Sequence, residues 1–91
     1  MIVWTAPALE DLRRINQWMS VNVAPVAASE MLAAVRARST ILDNFPGIGR
    51  AISGGSRLLR VQGTPYLLFY RMLPDRVEIL RIRHDREDWD A

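Results

Sequence analysis

Residues 66–84 read YLLFYRMLPDRVEILRIRH, and this stretch decides the fold. Tyr66–Leu73 is an unbroken run of aromatic and aliphatic residues relieved by a single arginine, of the kind that favours strands. Pro74-Asp75 is a two-residue breaker with turn chemistry. Arg76–His84 then alternates aliphatic and charged residues, which reads as a second strand running back beside the first. Period-two alternation places Tyr66, Leu68, Tyr70 and Met72 on one face and Leu67, Phe69, Arg71 and Leu73 on the other. In the returning strand it groups Val77 and Ile79 with Arg81 and Arg83, and Leu80 and Ile82 with His84. Both faces of this hairpin are more apolar than a sheet with one solvated face requires. Either the sheet curls around its own core or another chain docks on it.

Upstream, Arg57–Val61 reads as a third strand, joined to the hairpin by a turn at Gln62-Gly63-Thr64-Pro65. The first half of the chain has a different period. Thr5 is a candidate N-cap, Pro7 suits a first helical turn, and Glu10 and Asp11 sit near the positive helix end. Leu9, Leu12, Ile15, Trp18 and Met19 recur at helical spacing, predicting a helix over about Pro7–Met19. Val21–Ala24 is a short connection. Pro25 opens a second helix whose expected buried stripe is Ala28, Met31, Leu32, Val35, Ile41, Leu42 and Phe45, ended by Pro46-Gly47. So short a connection folds two helices into an antiparallel hairpin. Ile2-Val3-Trp4 is a short β-prone run before them.

The expected class is therefore α+β. A short N-terminal strand and an antiparallel helical hairpin pack on a curled, mainly antiparallel sheet, in the order β-α-α-β-β-β. Its 91 residues suffice for one domain over 1–91 and not for two cores.

Composition narrows the chemistry. There is no cysteine and only one histidine, His84. This excludes disulfides and thiolate metal sites, and neither a metal nor a cofactor is expected. No secretory signal and no membrane-spanning run is visible, so the expected location is the cytoplasm. All twelve basic residues are arginine, and the net charge is only +2. Arginine suits planar, bidentate contact with carboxylate or phosphate. Gly47-Ile48-Gly49-Arg50 lacks the lysine and hydroxyl residue of a phosphate-binding loop and follows a helix, so it reads as a structural turn, with Arg50 capping helix-end carbonyls or facing a partner.

Taken in order, these landmarks resemble one family along nearly the whole chain. Trp4, Ala8, Asp11, Leu12 and Ile15 come first. Leu42-x-x-Phe45-Pro46-x-Ile48-Gly49-Arg50 is similar to a "L-x-x-x-P-x-x-G-R" loop. Arg57-x-x-x-Val61 precedes Tyr66-Leu67-Leu68-Phe69-Tyr70-Arg71, similar to a "Y-hydrophobic-hydrophobic-Y" strand. Val77 to Trp89 is similar to a terminal "V-x-I-L-R-V-x-H-x-R-x-D-W" segment. The resemblance is to the RelE/ParE toxin superfamily, closer to its ParE branch. It implies the toxin of a type II toxin–antitoxin pair, neutralised by direct binding of a cognate antitoxin that wraps it. ParE-like members poison DNA gyrase without established catalytic residues, whereas RelE-like members cut mRNA on the ribosome.

Leu67 stands where RelE-like nucleases commonly carry an arginine, and an arginine cannot readily serve as general base. The expected activity is therefore gyrase inhibition rather than enzymatic cleavage, with no sequence-specific DNA binding by this chain alone and no membrane partner. The alternative is a ribosome-dependent mRNA endonuclease using Arg57, Arg60, Arg81, His84 and Arg86. The expected partner- or target-binding residues are Arg57, Arg60, Arg71, Arg81, Arg83, His84, Trp89 and Trp18. For His84 the plainer expectation is a strand-end histidine bonded to a carboxylate such as Asp88.

Overall fold

The structure is a computed structural model, and it describes residues 1–86. Its elements are β1 (Ile2–Trp4), α1 (Ala6–Asn22), α2 (Pro25–Thr40), β2 (Arg50–Ala51), β3 (Arg57–Arg60), β4 (Tyr66–Leu73) and β5 (Arg76–His84). A 3₁₀ turn, Ile41–Asp43, follows α2 directly. One five-stranded sheet has the order β1-β5-β4-β3-β2. All neighbours are antiparallel except β1, which runs parallel to β5.

Thr5 joins sheet to helix. Its Oγ1 accepts the Ala8 N–H at 3.4 Å as the cap of α1. The same hydroxyl donates toward the Ile79 and Leu80 carbonyls, at 2.8 and 3.2 Å. The start of α1 is thereby fastened to the strand that β1 has just left. Pro25 opens α2, where its missing N–H costs nothing. The helices cover one sheet face. Ala8, Val35, Leu42, Leu59, Val61, Leu68, Tyr70, Val77, Ile79 and Ile82 form the buried cluster, with Leu12, Ile15 and Met31 packed against it. Each fully buried large side chain contributes about 1.5–3 kcal/mol relative to exposure. The opposite face is not bare: Leu58 and Leu67 are buried and Phe69 is half-buried.

Several local expectations are corrected. Strict alternation fails in β5, because a bulge interrupts the pairing: Tyr70 lies opposite Ile79 but Phe69 lies opposite Arg81. Leu80 is the extra residue, and from there the phase reverses. Ile82 joins Val77 and Ile79 in the core, and Arg81 does not. The first helix runs to Asn22, three residues beyond Met19. Its buried side is Ala8 and Asp11, whereas Leu9 and Trp18 are exposed. The second helix tightens to 3₁₀ after Thr40, which swings Phe45 out of the expected stripe and into solvent. Arg50, expected in a turn, lies in the short edge strand β2 opposite Leu58. The expected third strand ends at Arg60 rather than Val61.

Candidate functional site

The candidate residues fall into separate groups along the sheet. At the end of β4 and β5, Tyr66 lies opposite His84, and their rings meet edge-on at 5.4 Å. Asp85 follows in the turn. It lies 3.2 Å from Arg60 Nη1 and 3.3 Å from His84 Nδ1. That nitrogen also accepts the Arg86 N–H at 3.1 Å. A nitrogen that carries a hydrogen donates to Asp85 and one that does not accepts from Arg86, so the two contacts are alternatives. Arg60 and His84 are thus brought together around Asp85, with Arg86 adjoining through its backbone.

Arg81 is committed elsewhere. Its Nε and Nη2 donate to the two Asp11 carboxylate oxygens at 2.7 and 2.8 Å, a bidentate pair spanning 70 residues of sequence. Asp11 also accepts the Ile82 N–H at 3.0 Å. β1 pairs with β5 only as far as Ile79, so the N–H groups beyond it need another partner. Asp11, on the next element, closes that edge. Burial pushes the Asp11 carboxyl up. The hydrogen bonds from Arg81 and Ile82 and the charges of Arg81 and Arg83 outweigh it, holding the group below its ordinary 3.8.

Arg57 is likewise turned inward. Its Nη1 donates to the Gly49 carbonyl at 2.7 Å and the Gly47 carbonyl at 3.2 Å. Beside it the Tyr70 hydroxyl donates to the Pro46 carbonyl and accepts the Gly49 N–H, both at 2.8 Å. Arg71 pairs with Glu78, which Arg76 shares. Those two guanidinium bonds hold the Glu78 carboxyl below its usual range.

Trp18 is 58% exposed on α1. With Met19, Met31, Pro65, Tyr66 and His84 it walls an apolar cleft of about 420 Å³ between the helical hairpin and the end of the sheet. Trp89 and Asp88 lie outside the described residues. No group of histidine, aspartate or glutamate side chains suited to a metal ion occurs among the described residues. Within them, no helix is long and apolar enough to cross a membrane.

Of the nuclease set, then, Arg60 and His84 converge, while Arg57 and Arg81 point into separate internal contacts. Asp11, Tyr70 and Gly49 were not singled out as site residues from sequence. Asp11 did leave a signal: it sits between Ala8 and Leu12 on the apolar side of its helix, where a carboxylate needs a partner.

Comparisons with known proteins agree with this architecture. The family described as "ParE toxin of type II toxin-antitoxin system, parDE" matches residues 2–89. Toxin RelE3 of Caulobacter vibrioides is 37% identical over 82 residues, covering 88% of each chain. A structure of the chromosomal ParDE system of P. aeruginosa superposes with a TM-score of 0.82 at 26% identity, over 91% of this chain and 92% of that one. A structure of the RelBE2 toxin–antitoxin complex of Mycobacterium tuberculosis gives 0.70 at 26% identity, over 92% and 95%.

Proposed function

This chain belongs to the ParE toxin family of type II toxin–antitoxin systems, and on that footing we propose that it arrests growth by binding DNA gyrase in the cytoplasm and is held inactive by a cognate antitoxin. The observation that carries the choice of target is the use made of Arg57 and Arg81. Cleavage at a phosphate needs cationic groups aimed together at the charge that develops there. Here one of these arginines is spent on loop carbonyls and the other on the Asp11 carboxylate. A protein-binding toxin needs no such convergence.

For the antitoxin, the cleft beside Trp18 offers apolar burial, and Arg83 lines the neighbouring hollow that shares Tyr66 with it. That combination suits a segment that alternates apolar and acidic residues. A second reading has one specific observation in its favour. The Arg60–Asp85–His84 grouping is a base-and-cation pair at a strand end, and the similar Caulobacter protein carries a RelE name.

Two assays on the purified chain decide between them: inhibition of supercoiling by gyrase, and cleavage of mRNA positioned on ribosomes. The gyrase reading expects the first and not the second. Cleavage with supercoiling untouched overturns it.

A further inference from the structure

We propose that the turn Phe45–Arg50 is a preorganised docking element that seats Phe45 and Ile48 in an apolar, carboxylate-rimmed pocket of the toxin's folded target. The proposal rests on the toxin reading above and does not require that the target be gyrase.

Most of the backbone polar groups of this turn are consumed internally. The Ile48 N–H donates to the Phe45 carbonyl at 3.1 Å. Tyr70 takes the Pro46 carbonyl and the Gly49 N–H, and Arg57 takes the carbonyls of Gly47 and Gly49. The anchors belong to β3 and β4, two interior strands of the sheet. Gly49 is buried and leaves no slack: a Cβ there would lie 2.5 Å from the Tyr70 hydroxyl and 2.9 Å from the Leu58 carbonyl oxygen.

Outward, the same turn presents Phe45 at 63% exposure and Ile48 at 50%. A surface turn ordinarily shows polar side chains. This one pairs most of its polar backbone internally and shows an aromatic and a β-branched residue at the two ends of a hydrogen-bonded turn. Such an arrangement loses little freedom on binding, because the backbone is already fixed. Exposed aromatics on a fixed frame are the kind of residue that dominates interface energy.

The chemistry of the partner follows. Phe45 and Ile48 stand three residues apart on one short turn, a compact patch that fits an apolar pocket of a folded protein better than the long track an extended wrapping segment follows. Arg50, exposed immediately after the turn and with no ion pair among the described residues, adds a cation that calls for carboxylates at the pocket's rim. The turn lies at Tyr70, and the Trp18 cleft lies at Tyr66. The two surfaces are therefore separated by about 13 Å along β4, at ~3.3 Å per residue. Target and antitoxin need not compete for the same side chains.

The test compares wild type with Phe45→Ala/Ile48→Ala and, separately, Arg50→Glu, in the full chain. Both variants alter exposed side chains, so their thermal midpoints should stay within a few degrees of wild type. Growth arrest on induction should be abolished by the double substitution and weakened by Arg50→Glu. The concentration needed to inhibit purified gyrase should rise about tenfold or more. Undiminished arrest by a folded double variant overturns the proposal, and so does a wild-type chain that neither arrests growth nor inhibits gyrase. If wild type arrests growth without touching gyrase and the double variant does not arrest, the docking turn stands and the gyrase reading falls.

Discussion

Replacing Gly49 with alanine should be among the most damaging single-methyl additions to this protein. The added Cβ would meet the Tyr70 hydroxyl at 2.5 Å, the Tyr70 ring at 2.7 Å and the Leu58 carbonyl oxygen at 2.9 Å. None of these can yield cheaply. Tyr70 is completely buried, and Leu58 lies in a strand paired on both sides. The turn must therefore lift away from the sheet. Overpacking of this kind costs about 1–3 kcal/mol. Lifting also breaks the Tyr70 bonds to Pro46 and Gly49, and a buried hydroxyl left unsatisfied adds roughly 1–3 kcal/mol. The sum, about 2–6 kcal/mol, is a large part of the ~5–14 kcal/mol expected for a domain of this size. At ~4–8 °C per kcal/mol, the midpoint of thermal unfolding followed by circular dichroism should fall by at least about 8 °C. Tyr70→Phe alone should cost about 1–3 kcal/mol. The two changes together should cost less than their sum, because removing the hydroxyl also removes the nearest clash. A Gly49→Ala midpoint within about 3 °C of wild type would refute the reasoning. Strict additivity in the double variant would show that the clash is not with the hydroxyl.

Three further outcomes follow from the buried polar groups. Asp11→Ala strips the Arg81 guanidinium and the Ile82 N–H of their shared partner and should cost about 2–4 kcal/mol, the lower end reflecting Arg81's partial exposure; an unchanged urea midpoint would count against the edge-closing role. Because the Asp11 carboxyl is held below 3.8 in the fold, its contribution is fully present above about pH 4 and is lost as pH falls through the lower folded value; an acid titration of stability should be shallower below pH ~4 in Asp11→Asn than in wild type. Tyr70 moves the other way, since burial raises its hydroxyl above 10.0 against the opposing Gly49 bond and Arg57 charge. Its stabilisation is intact below about pH 10 and fades as pH climbs beyond it, a loss that should be smaller in Tyr70→Phe and that proton release on unfolding at alkaline pH would measure.

What was legible in the sequence and what was not divides along the range of the interactions. Tyr66–Leu73 and Arg76–His84 are bounded by their own breakers, and Pro25 marks its own helix start, so the two strand ranges and that start are readable locally and occur as read. The sheet order and the parallel placement of β1 depend on burial that only the assembled chain supplies. The bulge did leave a local trace, because Ile79 and Ile82 are three apart where period two forbids a shared face. Phe45 escaped because its burial depends on whether the helix tightens at Thr40, a choice made by packing and not by composition. The arginines were the least legible. Their planar fork fits phosphate, carboxylate and carbonyl oxygen alike, so residue type could not tell an internal strut from a recognition group. The structure separates them. Arg57 and Arg81 hold the fold, Arg71 and Arg76 share Glu78, and Arg60 meets Asp85. Reversing the charge of Arg81 should therefore lower toxicity through lost stability, whatever the protein binds. Loss of function carries information about recognition only at positions such as Arg50, where the guanidinium stands on the surface and the backbone beneath it is held by other residues.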